Sequence, residues 1–557
     1  MKNKRPFLLT LLPVLSLSFI SSCGNNNYEE EQRHLEVGDI VKEWKSRKDL
    51  DDLPIDLPKE YNGSGSLVKN FGHEDKSSLY FEVNGSGYLG SDTLIEPYFI
   101  DDDAKNGDII SMYVYVPKDG NIDYLELEVL PISMNNGFKD KQIKIDDENK
   151  DKWVRTLVTF DSLETLGAIR LNYASKDDSS PSNFYVDDIS IMYGEETVKT
   201  GYEYNDESLY QAYEGKLKIG TCISSNGMRN NMLRTIVKDN FNSITAENEG
   251  KPEQILDKAA CQASAKKGFA SDVCIKIDPI EKMYDFAEAH HIGVRHHTFV
   301  WYSQTPNWFF TQDYSDNGPQ ASRDLMLARM ENFIRVTLET INERWPGLVY
   351  AVDVANEAIS DNDVVIRGEN SYDNNKWYDT VGDDFVYYAF KYANKYKEDY
   401  QDLYYNDYTY DNNIDKCKLA LDKILAKAID EQLIDGVGLQ AHVGTNEYTN
   451  LIENAKLVYQ KGLKCQITEL EMSVYGGGSD EEQFRKQKDA FKGLMKLILE
   501  KNYLEETDIN AFVVWGITDD TSWKYHQGQK PLLFDTNYGK KPGYYGLMEA
   551  IEEYDYE

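Results

Sequence analysis

The sequence predicts an α/β chain in which an all-β, jelly-roll-like sandwich precedes a (β/α)₈ barrel. Residues 61–196 contain short runs of alternating apolar and polar residues separated by Gly, Asn and Asp clusters, a pattern typical of an antiparallel sandwich. Residues 203–557 instead alternate apolar strand cores with helical stretches eight times, as a (β/α)₈ barrel requires. At 557 residues the chain is long enough for both domains.

The first 60 residues lie ahead of both domains. Basic residues precede an apolar run over 7–20 that is shorter than the roughly 20 residues a membrane-spanning helix needs, so residues 1–22 are predicted to be an export signal. The run ends in ISSC, which resembles the lipobox of bacterial lipoproteins and implies a lipid on Cys23. We therefore expect an exported protein anchored to a bacterial membrane, at the cell surface or facing the periplasm; an ordinary signal peptide is the alternative. Residues 23–60 are predicted to be a linker.

The charge of the chain limits its partners. Lys and Arg number 60 against 96 Asp and Glu, and the resulting net charge of -36 argues against nucleic acid because phosphates would be repelled. The 40 Tyr, 21 Phe and 8 Trp serve core packing and also suit flat, uncharged ligands such as sugar rings. We expect contact with a membrane only through the lipid anchor, and a monomer.

The sandwich prediction depends on five alternating runs, at 109–117, 124–132, 153–161, 168–173 and 183–193. The last contains FYVDDISI, which resembles the closing strand of jelly-roll carbohydrate-binding modules. Asp187 and Asp188, with Asp101, Asp102 and Asp103, are candidate ligands of a structural calcium ion, although a solvated acidic surface is the favoured interpretation.

The barrel prediction depends on eight apolar strand cores, at 216–222, 241–245, 292–300, 349–355, 402–407, 435–440, 463–470 and 510–517. Helical stretches lie between them. The longest starts after Ser322, a candidate cap, and places Met326, Met330 and Phe333 on one face. An open doubly wound sheet is disfavoured because TCISSNG, after the first strand, lacks the glycine spacing of a phosphate loop.

Polar residues recur at the C-terminal ends of these strands, and the active sites of TIM barrels lie at the rim formed by those ends. In order they are Glu247, Asn248, Lys251, His297, Trp301, Asn356, Glu357, Asn406, Asp407, Gln440, His442, Glu469, Glu471 and Trp515. Two carboxylic acids with amides, histidines and tryptophans in one cleft suit glycoside hydrolysis, in which one carboxyl protonates the leaving oxygen and the other attacks or activates water.

Several stretches resemble family 10 of the glycoside hydrolases, the endo-β-1,4-xylanase family. They are FNSITAENEGK, VRHHTFVWYSQTPNWF, VDVANEA, LYYNDY, DGVGLQAH, QITELEMSV, WGITDDTSW and PLLFDTNYGKKPGYYGL, in the family's order across residues 205–556. The resemblance implies the barrel, internal cleavage of xylan with retention through a covalent glycosyl-enzyme, xylan and xylo-oligosaccharides as ligands, and neither cofactor nor catalytic metal.

The resemblance also implies residue roles. Glu357 would be the general acid/base, Glu469 the nucleophile and Asn356 the partner of the sugar 2-hydroxyl, with the two carboxyls about 5–5.5 Å apart. A hydrogen bond from His442 would favour the ionised form of Glu469, whereas partial burial and that negative charge would raise the pKa of Glu357. The remaining substrate-binding or wall positions are Asn248, Lys251, His297, Trp301, Gln440, Trp515 and Trp523.

The sequence departs from the family pattern at several positions. Tyr302 stands where the family commonly has His, and Glu471 replaces the Asp expected to orient His442. Glu249-Gly250-Lys251-Pro252 differs from the usual E-M-K-W. The segment 261–274 is an extra connection whose end residues, Cys261 and Cys274, are close enough in sequence to pair, which spacing cannot decide.

Two function classes therefore stay open. An endo-xylanase is favoured because both carboxyls are present. A non-catalytic, glycan-binding surface lipoprotein is the alternative class. Among enzymes, a β-glucanase of the same fold is the next candidate.

Overall fold

The computed structural model describes residues 40–43, 63–73, 77–94, 104–133, 137–139, 142–177, 179–204, 207–370, 373–474 and 479–554. The predicted signal peptide, Cys23 and Asp101–Asp103 lie outside these ranges, so the lipid anchor stays a prediction. Among the helices of the described ranges, none combines the length and the apolarity needed to cross a membrane.

The N-terminal region consists of two antiparallel sheets, as the alternating runs predicted. Its strands are β1 Ile40–Glu43, β2 Gly63–Lys69, β3 Ser77–Val83, β4 Ser86–Gly90, β5 Ile109–Tyr115, β6 Ile122–Pro131, β7 Phe138–Lys139, β8 Ile143–Lys144, β9 Trp153–Thr159, β10 Leu166–Ser175 and β11 Ser182–Met192. One sheet has the order β2-β3-β11-β5-β9, with β1 also paired to β11; the other has β4-β10-β6-β7, with β8 paired to β6.

Strand β3 shows why the two sheets pack. Leu79, Phe81 and Val83 are fully buried in the core between the sheets, while Tyr80 and Glu82 point to the opposite face. Strand β1, which has four residues, lies inside the stretch predicted as linker and pairs with β11. Strands β2, β3, β4, β7 and β8 correspond to none of the five predicted runs. Strand β2 has the sequence GSGSLVK, and its Gly and Ser residues weaken the alternation signal.

The C-terminal region is a closed parallel barrel of eight strands, which confirms the predicted fold. The strands are β12 Lys218–Ile223, β13 Ser243–Ala246, β14 Gly293–Trp301, β15 Val349–Asn356, β16 Asp402–Asp407, β17 Gly436–Leu439, β18 Lys464–Leu470 and β19 Ile509–Val514. Strand β12 pairs with both β13 and β19, which closes the barrel.

Helices surround the barrel, and one four-residue helix lies in the sandwich. They are α1 Ser91–Leu94, α2 Leu209–Ala212, α3 Asn231–Asn240, α4 Pro252–Ile255, α5 Lys258–Lys266, α6 Asp278–Ala289, α7 Arg323–Arg344, α8 Lys376–Val381, α9 Phe385–Tyr396, α10 Ile414–Leu419, α11 Ala426–Asp430, α12 Thr449–Tyr459, α13 Asp480–Tyr503 and α14 Pro542–Glu552. The predicted cap of α7 forms, because Ser322 Oγ accepts a hydrogen bond from the Leu325 amide. Its predicted apolar face is buried.

Backbone hydrogen bonds join the two domains. The Thr165 amide donates to the Arg229 carbonyl at 2.8 Å, and the Asn231 amide donates to the Leu163 carbonyl at 2.7 Å. Arg234 Nη1 adds a bond of 3.0 Å to Thr165 Oγ1. The loop before β10 is thereby attached to the start of α3.

Cys261 and Cys274 are close but not bridged. The Cys274 amide donates to Cys261 Sγ at 3.2 Å, and both cysteines are free. Cys261 lies in α5, and the rest of the extra segment returns to pair Ile275 with Leu256.

The calcium site also stays a prediction. His73 Nδ1 donates to Asp188 Oδ2 at 2.8 Å, and the His73 amide donates to Asp187 Oδ2 at 2.7 Å. Across the part of the chain that the structure describes, no group of three or more His, Cys, Asp or Glu has the arrangement of a metal site.

Candidate active site

The two predicted catalytic carboxyls reach the same rim of the barrel from different strands. Glu357 directly follows Asn356, the last residue of β15, and Glu469 lies near the end of β18. Glu357 adopts a left-handed backbone conformation with φ of 54°, an uncommon geometry for a residue other than glycine. Its amide donates to the Asn406 carbonyl at 2.9 Å and its carbonyl accepts from Arg367 Nε at 3.0 Å, and these bonds hold the turn.

Glu357 is buried, and the two side chains that donate hydrogen bonds to its carboxyl group are neutral. Its Oε2 accepts from Trp301 Nε1 at 2.8 Å and its Oε1 accepts from Gln440 Nε2 at 3.0 Å. Burial raises the pKa of Glu357 to about 7, helped by the negative charges of Asp407 and Glu469, although the bonds from Gln440 and Trp301 act in the opposite direction. This carboxyl can therefore carry a proton near neutral pH.

Glu469 is equally buried but surrounded by donors and positive charge. Its Oε1 accepts from Asn406 Nδ2 at 2.8 Å and its Oε2 accepts from His442 Nε2 at 3.3 Å. Burial alone would raise the pKa of Glu469, but the His442 hydrogen bond and the positive charges of His297, His442 and Lys251 outweigh it and lower this pKa to about 2. Glu469 is ionised at every ordinary working pH.

His442 is held between two carboxylates. Its Nδ1 donates to Glu471 Oε2 at 2.7 Å, and Ser522 Oγ donates to the other oxygen of Glu471. Burial lowers the pKa of His442, but its hydrogen bonds to Glu469 and Glu471 and their charges raise it to about 9 overall. The hydrogen bond between His442 and Glu471 thus supports the predicted role of Glu471 in orienting His442.

A chain of amides connects the two carboxyls. Asn356 Oδ1 accepts from Asn406 Nδ2 at 3.0 Å and from Gln440 Nε2 at 3.4 Å. The same Asn406 Nδ2 bonds Glu469, and the same Gln440 Nε2 bonds Glu357. Asn356 Nδ2 is buried and has no protein acceptor within hydrogen-bonding distance, so this donor is available to a ligand.

On one side of the carboxyls lies Lys251. Its ammonium donates to Asn248 Oδ1 at 3.0 Å and lies 4.9 Å from the centre of the Trp301 ring. Burial lowers the pKa of Lys251, against the charges of Glu469, Glu247 and Glu357. Contacts therefore run from Asn248 through Lys251 and Trp301 to Glu357.

His297 is fixed from below by the barrel interior. Its Nδ1 donates to Asp353 Oδ2 at 2.9 Å, and Asp353 also pairs with Arg295. The edge of the His297 ring approaches Trp515, with the ring centres 5.8 Å apart.

Beside the carboxyls is an open cleft of about 510 Å³ lined by Glu357, Tyr408, Gln440, His442, Glu469, Ser473, Trp515, Trp523, Lys524, Gln527 and Gln529. Trp523 is 54% exposed at its rim, with its ring centre 6.1 Å from that of His442. The volume falls within the range of roughly 300–1,000 Å³ typical of ligand pockets.

A sequence model described as Glycosyl hydrolase family 10 matches residues 208–550, more than half of the chain. The chain belongs to glycosyl hydrolase family 10. The match covers the whole barrel and every predicted site residue on it, from Asn248 to Trp523.

Curated relatives of this family 10 chain have xylanase names. A bifunctional endo-1,4-β-xylanase of Ruminococcus flavefaciens is 36% identical over 353 residues, which are 62% of this chain and 34% of the relative. Endo-1,4-β-xylanase B of Butyrivibrio fibrisolvens is 32% identical over 62% of this chain and 53% of its own. Endo-1,4-β-xylanase Y of Acetivibrio thermocellus is 29% identical over 85% of this chain and 46% of its own. The chain thus spans about a third to a half of the length of these relatives.

Solved structures agree with the architecture. The N-terminal CBM22-1 and GH10 modules of Clostridium thermocellum endo-1,4-β-D-xylanase 10B, complexed with xylohexaose, align with a TM-score of 0.60 at 24% identity, over 88% of this chain and 93% of that one. This likeness concerns the fold alone. The intracellular xylanase of Thermoanaerobacterium saccharolyticum, as a mutant with xylotriose, aligns with a TM-score of 0.53 at 28% identity, over 62% of this chain and 99% of that one.

Two positions that differ from the family 10 pattern, Tyr302 and Gly250, have defined contacts in the structure. The Arg367 guanidinium lies 4.1 Å from the centre of the Tyr302 ring, so Tyr302 offers its face to the residue that holds the Glu357 turn. At position 250, a Cβ would come within 2.5 Å of the His297 carbonyl, and Gly250 therefore permits a close backbone approach beside Lys251.

Some contributors were missed by sequence reasoning. Arg367, Ser522 and Lys524 support Glu357 and Glu471 from loops beyond the strand ends. Asn406 was noted only as a strand-end residue, although it joins Asn356 to Glu469. Its position at the end of β16 was a usable signal, whereas nothing in the loop sequences around Arg367 and Ser522 indicated their partners.

Proposed function

We propose that the protein is an endo-β-1,4-xylanase that retains anomeric configuration through a covalent glycosyl-enzyme. The deciding observation is that two buried carboxyls on one barrel rim have different partners: Glu357 accepts from the neutral donors Trp301 and Gln440, and Glu469 accepts from Asn406 and His442. These surroundings place the pKa of Glu357 at about 7 and that of Glu469 at about 2. One group is thereby ready to give a proton while the other is ionised, the division of labour that glycoside cleavage needs.

Each step follows from these protonation states. In the first step a Glu469 oxygen bonds the anomeric carbon, the glycosidic bond breaks and the Glu357 proton goes to the leaving oxygen. The charge of Glu469 is then lost, which removes one cause of the high pKa of Glu357 and makes it a better base. In the second step Glu357 takes a proton from water, whose oxygen replaces Glu469 at the same carbon.

The other residues receive positioning roles in this proposal. Asn356 Nδ2 donates to the 2-hydroxyl of the sugar whose anomeric carbon reacts. Lys251, Asn248, His297 and Gln440 bind further hydroxyls, and the tryptophans at 301, 515 and 523 form the walls on which sugar rings pack.

The activity test is a comparison of polymers. Reducing ends released from xylan, mixed-linkage β-glucan and mannan are measured for the wild type and for Glu469→Ala. We expect release from xylan alone, its loss in the variant, and product of unchanged anomeric configuration by NMR. Preference for β-glucan would instead support a β-glucanase, and binding of xylan without release of reducing ends would support a glycan-binding protein.

We also propose that the sandwich binds polysaccharide through an aromatic row on the outer face of its larger sheet. Tyr80, Tyr185, Tyr115 and Trp153 lie opposite one another on the adjacent strands β3, β11, β5 and β9. Neighbouring ring centres are 5.0, 5.8 and 5.5 Å apart. A row of partly exposed aromatic rings suits a chain of sugars.

Phe71 already packs on this row, 4.8 Å from the centres of Tyr115 and Tyr185. We expect Tyr185→Ala to weaken retention on insoluble xylan about tenfold in the Glu469→Ala background, and Tyr88→Ala, on the other sheet, to leave it unchanged. Tighter retention by Phe71→Ala would mean that the sugar displaces this side chain. Equal retention by Tyr185→Ala and the parent protein would refute a glycan site on this row.

Export and lipid anchoring through Cys23 are a separate proposal, supported by the apolar run and the ISSC tetrad. Radiolabelled palmitate should enter the wild type and not Cys23→Ala, and the variant should leave the membrane fraction. Sedimentation of the exported protein without its lipid tests the expected monomer.

A further inference from the structure

A second large groove lies between the sandwich and the barrel. Its volume is about 910 Å³, and it is lined by Ile132 and Thr165 of the sandwich together with Met283, Phe286 and Ala289 of α6. The hydrogen bonds between Thr165 and the Arg229–Arg234 segment hold the two sides of this interdomain groove together.

One end of the groove lies beside Lys251. Asn248 and Glu249 also line it, and Asn248 Oδ1 accepts the Lys251 ammonium at 3.0 Å. The backbone around Asn248 is held in place, because the Glu249 carboxylate accepts hydrogen bonds from the backbone amides of Ser225 and Asn248. A polymer that lies across the carboxyls and past Lys251 therefore reaches the groove at Asn248.

The lining fits an uncharged sugar chain. Phe286 is partly exposed and supplies an aromatic surface, and Met283 supplies an apolar floor. Acidic side chains, such as Asp278 and Glu281, alternate with basic ones, such as Lys282, so the groove lacks the single sign of charge that would select an ion.

We propose that the interdomain groove binds the continuation of the xylan chain held in the cleft, so that the sandwich contributes directly to substrate binding beside the catalytic domain. This proposal rests on the proposed function. It predicts a dependence on chain length: oligosaccharides that stay within the cleft do not sense the groove, and longer ones do.

The test compares xylotriose with xylohexaose. Phe286→Ala removes the aromatic surface, and Ala289→Trp fills the groove from an exposed position at the end of α6. Both should raise KM for xylohexaose about threefold to tenfold with kcat unchanged, since binding is lost equally in the ground and transition states. Both should leave xylotriose unaffected. Ile132→Ala, on the sandwich side of the groove, should also raise KM for xylohexaose, and an unchanged KM would contradict the contribution of the sandwich.

Phe269→Ala is the matched control, because Phe269 is 57% exposed and does not line the groove. Calorimetric binding of xylohexaose to Glu469→Ala, with and without Phe286→Ala, separates the two proposals: weaker binding by the double variant supports the groove even if the wild type has no turnover. Unchanged xylohexaose KM and affinity in both groove variants, or equal losses on xylotriose, would overturn the groove proposal and leave the catalytic one standing.

Discussion

Gln440→Met should move the alkaline limit of activity upward. Gln440 Nε2 donates to Glu357 Oε1 at 3.0 Å, and this bond favours the ionised form of Glu357, so it opposes the effect of burial. A hydrogen bond to a charged group contributes about 1.5–3 kcal/mol against about 0.5–1.5 for a neutral pair. The difference of about 1–1.5 kcal/mol corresponds to about one pKa unit.

The assay is the pH dependence of kcat/KM on xylo-oligosaccharides, which reports the free enzyme. Glu357 must be protonated for the first step, so the wild type should lose activity through its pKa of about 7 and the variant should keep it to about one unit higher. Absolute rates will fall because Gln440 is also expected to bind sugar. The quantity to compare is therefore the pH at which kcat/KM declines on the alkaline side of the profile. The exposed Gln460→Met is the control. A limb that stays in place or moves to lower pH would refute the electrostatic reasoning.

Three further outcomes are expected. Glu357→Ala should lower kcat/KM on xylan by about 10²–10⁴-fold yet spare an aryl xylobioside whose leaving group needs no proton; equal losses would contradict its acid role. His442→Asn removes a donor and a positive charge, so the pKa of Glu469 should rise from about 2 and the acidic side of the kcat/KM profile should move to higher pH than in the wild type. Lys541→Met removes the ion-pair partner of Asp519, a buried carboxylate 2.9 Å from the Lys541 ammonium. Urea titration should show a free energy of unfolding about 3–5 kcal/mol lower than that of the wild type, whereas a loss below about 1 kcal/mol would mean that the pair is dispensable.

Much of the fold could be predicted because burial determines residue type. All eight barrel strands were found from apolar cores, with ends within a few residues, since a strand covered by helices must be apolar on both faces. Among the strands that were missed, β2 and β4 contain Gly and Ser, which weaken the alternation, and β7 and β8 have two residues each, too few for a periodic pattern. Strand β3 alternates clearly and was missed all the same. Strand β1 is four residues long and depends on a partner 150 positions away, which local pattern cannot indicate.

The membership of the candidate site could be predicted, but among its pairings only those of His442 with Glu469 and Glu471 were expected. Strand ends identify which side chains share a rim, because parallel strands end at one edge. Trp301 was expected as a wall for sugar, yet its indole N–H donates to Glu357 and so affects that pKa. Tyr302 stands where the family commonly has His, and its ring face meets Arg367, a contact that the sequence did not indicate. Such pairings depend on side-chain direction, which spacing along the chain does not determine.

The orientation of Asn356 shows how the surrounding amides prepare the cleft before sugar binds. Two N–H donors, from Asn406 and Gln440, converge on Asn356 Oδ1, and this arrangement forces Nδ2 to point the other way. A flipped amide would place N–H groups against N–H groups, at a cost comparable to a lost buried hydrogen bond of about 1–3 kcal/mol. Asn356 can therefore only donate to the ligand. A hydroxyl whose oxygen gains negative charge during the reaction is thus favoured over one that must donate, and the buried donor needs no reorganisation when the transition state forms.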